Sequence, residues 1–131
     1  MMTAESIMTE NLVTIRPEAS IRDAIEMLIG KEISGLPVID NQGRLVGVIT
    51  EFAMLAMVYD HEVRKQTVGQ HMTREVITVN VDDPISRIAD LCIVHRVRRL
   101  PVMRDGKLVG LIARRDVLKA LYQDSERACL A

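Results

Sequence analysis

The sequence predicts an α/β fold of the α+β type, built from two copies of a β-α-β-β-α unit. Three observations support this: an internal repeat about 64 residues apart, apolar residues at helical spacing within each copy, and short apolar segments joined by glycine turns. A unit of about 60 residues buries only about 60% of its unfolded surface and is marginally stable alone. We therefore expect the two copies to pack as a pseudo-two-fold pair.

The two copies keep a constant register over most of their length. Met8-Thr9 recurs as Met72-Thr73, and Leu36-Pro37-Val38 recurs as Leu100-Pro101-Val102, each 64 residues later. A one-residue gap then reduces the separation to 63. Chance does not maintain register over so many positions, so we infer an internal duplication.

The duplication predicts the domain organisation of the chain. The first domain is expected over residues 3–60 and the second over residues 67–123. Residues 61–66 are expected to form a linker, and residues 124–131 a short tail.

Each copy contains the signals of two helices and a hairpin. Ser20 is placed to cap the first helix, with Asp23 as its capping-box partner; in the second copy Asp83 is the expected cap, with Pro84 at the first helical position. The hairpin strands are joined by glycine turns. The other predicted elements are a short strand at Leu12–Ile15, hairpin strands at Leu36–Ile39 and Arg44–Ile49, and second helices at Glu51–Tyr59 and Arg114–Tyr122.

The composition argues against several classes of protein. The net charge is −1, and the chain has no Trp, two Tyr and one Phe, so nucleic-acid binding is not favoured. Two cysteines, Cys92 and Cys129, are too few for the disulfide framework of a secreted domain. No signal peptide and no apolar stretch of about 20 residues is found. We therefore expect a cytoplasmic protein with no membrane partner.

The order of motifs resembles the CBS domain, a family named after cystathionine β-synthase. The resemblance rests on Met8-Thr9, a strand with Thr14, a helix, Leu36-Pro37-Val38, Gly43 and Leu45-Val46-Gly47, followed by the same order in the second copy. It implies a tandem pair, or Bateman module, that regulates and does not catalyse. Such pairs bind AMP, ADP, ATP or S-adenosylmethionine in clefts between their copies, and commonly form homodimers.

The resemblance also implies how the pair acts. With no obligatory cofactor, it would sense cellular energy through a bound adenine nucleotide. Because no other domain is expected on this chain, the target enzyme or transporter would be a separate protein.

The family holds ribose or phosphate oxygens with a Gly-x-x-Thr-x-x-Asp pattern where the last strand meets the last helix. By that resemblance, the first copy keeps Thr50 but has Ala53 in place of the aspartate, whereas the second copy has Ala113 and keeps Asp116. A charge-assisted hydrogen bond contributes about 1.5–3 kcal/mol, against about 0.5–1.5 kcal/mol for a neutral one. We therefore expect the second copy to bind the nucleotide, and the first copy to bind weakly or not at all.

Basic residues are also concentrated in the second copy. Between Val94 and Asp116 they are Arg96, Arg98, Arg99, Arg104, Lys107, Arg114 and Arg115, against the acids Asp105 and Asp116. The matching stretch Gly30 to Ala53 has Lys31 and Arg44 against three acids. Since arginine matches the geometry of phosphate, this patch favours a phosphate-bearing ligand.

The resemblance implies two sets of ligand-binding residues. In the second copy they are Thr78, Val79, Val97, Arg98, Arg99, Leu100, Pro101, Arg114, Arg115 and Asp116. The weaker first-copy set is Thr14, Ile15, Gly35, Leu36, Pro37 and Thr50. No residue is expected to be catalytic or to bind a metal, because the histidines are scattered without metal-ligand spacing and the sequence shows no nucleophile–base constellation.

Each of these features also has a purely structural interpretation. Thr50 suits a helix cap, Asp116 suits the first turn of a helix, and the arginines suit a solvated basic face. An alternative function is therefore a dimerisation or protein-interaction module with degenerate nucleotide sites. Binding of nucleic acid by the arginines would appear as an affinity that falls steeply with salt.

Overall fold

The computed structural model describes residues 2–130 and divides into two compact units. The continuous unit is Val13–Val76, and the discontinuous unit combines residues up to Leu12 with residues from Ile77 onward. The units and the sequence repeats therefore divide the chain differently. The first residues of the first copy, up to Leu12, belong to the discontinuous unit together with most of the second copy. The first residues of the second copy, up to Val76, belong to the continuous unit together with most of the first copy.

The described residues contain both helices and strands, which confirms the predicted fold class. In chain order the elements are α1 (Ala4–Ile7), α2 (Ile21–Lys31), β1 (Gly35–Ile39), β2 (Leu45–Thr50), α3 (Glu51–Met57), α4 (His61–Arg64), α5 (Val68–His71), β3 (Val79–Asn80), α6 (Ile85–His95), β4 (Arg99–Arg104), β5 (Lys107–Ala113) and α7 (Arg114–Leu130). None of the described helices is long and apolar enough to cross a membrane.

The continuous unit is organised around the antiparallel pair β1 and β2. Leu36 pairs with Ile49 across these strands, and both side chains are buried. Ile15 adds a parallel bridge to Val38 on the other edge of β1. The helix α2 covers the core, and Ser20 caps it by accepting a hydrogen bond from the Asp23 N–H at 3.0 Å, as predicted.

The discontinuous unit repeats this arrangement with a three-stranded sheet. The strand order is β3-β4-β5, with β3 parallel and β5 antiparallel to β4. Leu100 pairs with Ile112, and Val79 pairs with Val102, so the pairing brings four buried apolar side chains into one core.

The exchanged first segments complete the cores of the two units. In the continuous unit the Val68 N–H donates to the Ala19 carbonyl at 2.7 Å, and the Val68 side chain is fully buried. In the discontinuous unit the Ala4 N–H donates to the Asp83 carbonyl at 2.9 Å, and Ala4 is likewise fully buried. If the chain were cut between the two sequence copies, each unit would therefore lose part of its core.

The repeated Met-Thr segments lie against the repeated glycines. Thr73 forms an antiparallel bridge to Val48, and a Cβ built on Gly47 would lie 2.6 Å from Met72 Sδ. The same arrangement recurs around Gly110, where a Cβ would lie 2.5 Å from the sulfur of Met8. Glycine at both positions leaves room for this approach, which gives a structural reason for the glycine of the repeated Leu-Val-Gly motif.

Two predicted features are wrong, one near the start of each copy. The strand expected at Leu12–Ile15 is reduced to the single bridge at Ile15. Pro84 is the N-cap of α6 rather than its first residue. Asp83 instead accepts a hydrogen bond from the Asn80 N–H at 2.8 Å, because the turn before the helix uses its carboxylate.

The second helices also differ from their predicted ends. The helix α3 ends at Met57, before Tyr59, because Asp60 begins the next helix by accepting hydrogen bonds from two backbone N–H groups of α4. The helix α7 continues beyond Tyr122 to Leu130, since no glycine or proline follows to end it. Much of the expected tail is therefore helical. The side chain of Cys129 lies outside the described residues.

We predict that Gly47→Ala lowers the free energy of unfolding by about 1–3 kcal/mol, the usual cost of overpacking. The new Cβ would lie 2.8 Å from the Thr73 carbonyl, a backbone group that cannot move aside easily. Gly110→Ala should be milder, because the nearest atoms there belong to the flexible Met8 side chain.

Urea denaturation of both variants checks this order. The matched control is Gly30→Ala in α2, where a Cβ meets nothing within 4 Å. We expect this control to be neutral or stabilising by up to about 1 kcal/mol, since alanine is the better helix former. Equal stability of the Gly47→Ala and Gly30→Ala proteins would contradict the close approach described above.

Candidate functional site

Four arginines and one aspartate meet where β5 ends and α7 begins, in the discontinuous unit. The Arg114 N–H donates to the Arg98 carbonyl at 2.8 Å, which joins the start of α7 to the residue before β4. Arg99, the first residue of β4, pairs with the last residue of β5. Arg115 and Asp116 follow in the first turn of α7. We call Arg98, Arg99, Arg114 and Arg115 the arginine site.

The arginine site is open to solvent. All four arginines are exposed, whereas Asp116 is half-buried. Within the described residues, Arg98, Arg114, Arg115 and Asp116 form no ion pair. Their charges are therefore available to an anion and, for Asp116, to a hydroxyl donor.

The other predicted residues of the second copy divide by burial. The side chains of Val79 and Leu100 belong to the hydrophobic core, so only their backbone groups could contact a ligand. Pro101 is also buried, and Thr78 and Val97 are half-buried. Thr78 directly precedes the strand β3, which pairs with β4, so it lies one strand away from the arginine site.

The continuous unit has the same backbone arrangement without the arginines. The Glu51 N–H donates to the Ser34 carbonyl at 2.9 Å, and Gly35 pairs with Thr50 across β1 and β2. The four positions equivalent to the arginine site are Ser34, Gly35, Glu51 and Phe52. This corner of the continuous unit therefore presents one carboxylate and no cation.

Thr50 has the structural role that the sequence left open. Its hydroxyl oxygen accepts a hydrogen bond from the Ala53 N–H at 3.2 Å, which makes Thr50 the N-cap of α3. The hydroxyl can still donate its own hydrogen. However, Ala53 offers no carboxylate beside it, so this turn provides one neutral hydrogen-bonding group.

The remaining residues of the first-copy set do not form one site. Ile15 and Leu36 belong to the core, and Pro37 is buried. Thr14 and Ile15 line an open groove of about 640 Å³ beside α2, but Gly35 and Thr50 do not line it.

The groove was not predicted from the sequence. Besides Thr14 and Ile15, it is lined by Arg16, Ala19, Asp23, Glu26, Met27, Gly30 and Lys31. Its two cations and two carboxylates balance, so it has no preference for an anionic ligand. The sequence signal that could have found the groove is the face of α2 that carries both polar and apolar residues. The helical periodicity places this face next to the buried stripe and therefore assigns it to solvent.

Arg114 also acts on a buried thiol of the same unit. Burial raises the pKa of Cys92, and the positive charge of Arg114 partly opposes that rise. Among described residues, no cluster of histidine, cysteine and carboxylate side chains could hold a metal ion.

Comparison with known proteins now decides the family. The CBS domain model matches residues 4–60 and 68–123. The chain belongs to the CBS domain family. These two matches cover most of the chain, so the chain is a tandem CBS pair, as the repeat and its motifs implied.

Two solved structures are similar to this CBS pair over nearly its whole length. The crystal structure of CBSX2 in complex with AMP has 34% identity and a TM-score of 0.85, and the similarity covers 95% of this chain and 99% of that one. The CBS domain pair of MJ0100 in complex with 5′-methylthioadenosine and S-adenosyl-L-methionine has 27% identity and a TM-score of 0.80, covering 95% and 98%.

Some curated relatives carry the names of enzymes, but the match covers only part of them. Inosine-5′-monophosphate dehydrogenase of Methanocaldococcus jannaschii is 33% identical over 88% of this chain, which is 23% of the enzyme. Across the curated relatives compared, the chain spans between 15% and 60% of their length. Their catalytic activities are therefore not transferred to this CBS pair.

The opposing effects of burial and of the Arg114 charge on the pKa of Cys92 predict a pH dependence. We expect the alkylation rate of Cys92 to reach half its maximum at a pH above the pKa of an ordinary thiol, which is about 8.5, because burial disfavours the thiolate. Arg114→Ala should move that midpoint higher still, since it removes the charge that stabilises the thiolate. Mass spectrometry after timed iodoacetamide treatment follows Cys92 separately from Cys129.

Arg22→Ala is the control for this experiment, because it removes an exposed arginine from the continuous unit. Its midpoint should match that of the unaltered protein. A midpoint that Arg114→Ala leaves unchanged or lowers would show that the Arg114 charge does not reach the thiol.

Proposed function

We propose that this CBS pair is a regulatory protein that binds an adenine nucleotide and modulates a partner on a separate chain. The ligand is AMP, ADP or ATP, held chiefly at the arginine site and Asp116, so that the protein responds to cellular energy state. Of the first-copy residues, Gly35 and Thr50, which pair across β1 and β2, contribute weaker binding.

The observation that carries the proposal is the turn at the start of α7. It combines an unpaired half-buried carboxylate, Asp116, with exposed guanidinium groups on neighbouring residues. A carboxylate accepts hydrogen bonds from ribose hydroxyls, whereas guanidinium groups bind phosphate. One corner of the unit thus offers the two kinds of group that a nucleotide's sugar and phosphate require.

The similar structures support the ligand class. CBSX2 was crystallised with AMP, and the MJ0100 pair with two adenosine derivatives, so adenosine-containing ligands are bound by CBS pairs of the same fold. In this chain the equivalent turn of the continuous unit has Ala53 in place of a carboxylate, which favours the discontinuous unit as the stronger binder.

We expect a nucleotide at 1 mM to raise the melting temperature of the protein, because binding to the native state alone stabilises it by mass action. Asp116→Asn should weaken the affinity by about tenfold to a hundredfold, the equivalent of a lost charge-assisted hydrogen bond. Isothermal titration calorimetry measures both proteins.

The matched control is Asp90→Asn, the same change at an exposed acid of α6 in the same unit. It should bind nucleotide like the unaltered protein. If AMP, ADP and ATP all fail to bind to the unaltered protein, the proposed nucleotide function is wrong, and the interaction-module alternative is favoured.

We also propose that the protein forms a homodimer through its helices. Three exposed apolar residues recur at equivalent places in the two units: Ile29 and Ile93, Leu55 and Leu118, and Tyr59 and Tyr122. Each side chain is at least 64% exposed. Five of these side chains lie on helices, and Tyr59 lies two residues after α3. Large apolar side chains left in solvent at repeated positions are typical of a protein-interaction surface.

Sedimentation velocity tests this dimer. The double variant Leu55→Lys with Leu118→Lys should sediment as a monomer at concentrations where the unaltered protein is a dimer, because two charges would be buried without partners. The control, Gln42→Lys with Gln123→Lys, adds the same charges at exposed polar positions and should stay dimeric. A monomeric unaltered protein would contradict the proposal.

A further inference from the structure

We infer that the arginine site selects its ligand by the number of phosphate groups, preferring a nucleoside triphosphate over the monophosphate and excluding S-adenosylmethionine. This inference rests on the proposed nucleotide function and makes its ligand class specific. The observation behind it is that this corner has more arginines than are needed to bind a single phosphate group.

The backbone holds the arginines together as one group. Arg98 and Arg114 are joined by a 2.8 Å hydrogen bond between their main chains, and Arg115 is the next residue of α7. Three guanidinium groups therefore start from adjacent backbone positions. A guanidinium binds phosphate oxygens in a fork, so each additional phosphate gains a further charge-assisted partner.

Other arginines of the discontinuous unit already have carboxylate partners. Arg104 lies 2.9 Å from Glu5, and Arg87 lies 3.6 Å from Asp83. By contrast, Arg98, Arg114 and Arg115 have no carboxylate within ion-pair distance in the part of the chain that the structure describes. Three arginines without an ion pair therefore share the corner that carries Asp116.

Ligand charge then decides the preference. A terminal phosphate carries about 1.5–2 negative charges at neutral pH, and each additional phosphate in a chain adds about one more. Attraction to a group of exposed arginines rises with that charge and is screened by salt. S-adenosylmethionine carries a positive sulfonium and no phosphate, so the same arginines repel it.

The continuous unit provides an internal comparison. Its equivalent corner has Glu51 in place of Arg114 and Phe52 in place of Arg115, and no basic residue at the other two positions. A carboxylate there disfavours a polyphosphate. The selection by phosphate number is therefore expected from the discontinuous unit alone.

Calorimetric titration of the full chain with ATP, ADP, AMP, adenosine and S-adenosylmethionine tests the inference, with EDTA present so that no metal neutralises the phosphates. We expect ATP to bind at least about tenfold more tightly than AMP, with ADP between them. The ratio of ATP to AMP affinity should shrink as salt is raised, because the extra phosphates act through charge.

The double variant Arg114→Ala with Arg115→Ala should bring the affinities for ATP and AMP to within about threefold of each other. Both arginines are exposed, so the variant should keep its fold, which a circular dichroism melt checks. The control, Arg22→Ala with Arg127→Ala, removes the same charge from two other exposed positions and should keep the preference for ATP.

The outcomes separate this inference from the proposed function. If AMP binds as tightly as ATP, or if S-adenosylmethionine binds more tightly than either, selection by phosphate number is wrong while nucleotide binding stands. If the control variant also loses the preference, the effect belongs to the overall charge and the arginine site does not select. If no adenine compound binds, both proposals fail together.

Discussion

The close approach of a Met-Thr segment to a glycine strand is the contact on which the rest of this fold depends. In the continuous unit, Thr73 bridges Val48 while Met72 occupies the space that a side chain on Gly47 would need. Each such segment comes from one sequence copy and packs in the unit formed by the other. A domain of about 60 residues buries little surface by itself, and this exchange adds buried residues such as Val68 to the core of a unit. In the discontinuous unit the same kind of contact holds β5, the strand that leads into the arginine site.

Duplication gave both units one backbone design, and substitution then gave the two corners different chemistry. A main-chain hydrogen bond of nearly equal length joins Glu51 to Ser34 in one unit and Arg114 to Arg98 in the other. Because the frame is common, the difference in charge between the corners comes from side chains alone. The arginines are concentrated at the corner of the discontinuous unit, whereas the equivalent corner of the continuous unit has none.

The residues of the proposed ligand site could be named from the sequence, but the burial of their side chains could not. Arginine at positions 98, 114 and 115 and the retained aspartate at 116 are visible in the sequence, and the structure brings them together. The core positions of Val79 and Leu100 were not visible, because an apolar residue beside a site motif can point to either face of a strand. Whether an arginine already has a carboxylate partner also depends on residues far away in the chain, as for Arg104 and Glu5.

The sequence by itself determined the duplication, the order of the longer helices and the hairpin strands, and the family, since register and local periodicity are properties of neighbouring residues. It also carried the loss of the carboxylate at Ala53. Only the tertiary structure decided that the first segment of each copy packs in the unit formed by the rest of the other copy. The structure also showed that the Thr50 hydroxyl oxygen caps α3 and that α7 continues to Leu130. The exchange of segments depends on contacts between residues far apart in the chain, which no local pattern records. The Thr50 cap and the length of α7 are local features, but the sequence allowed more than one outcome for each.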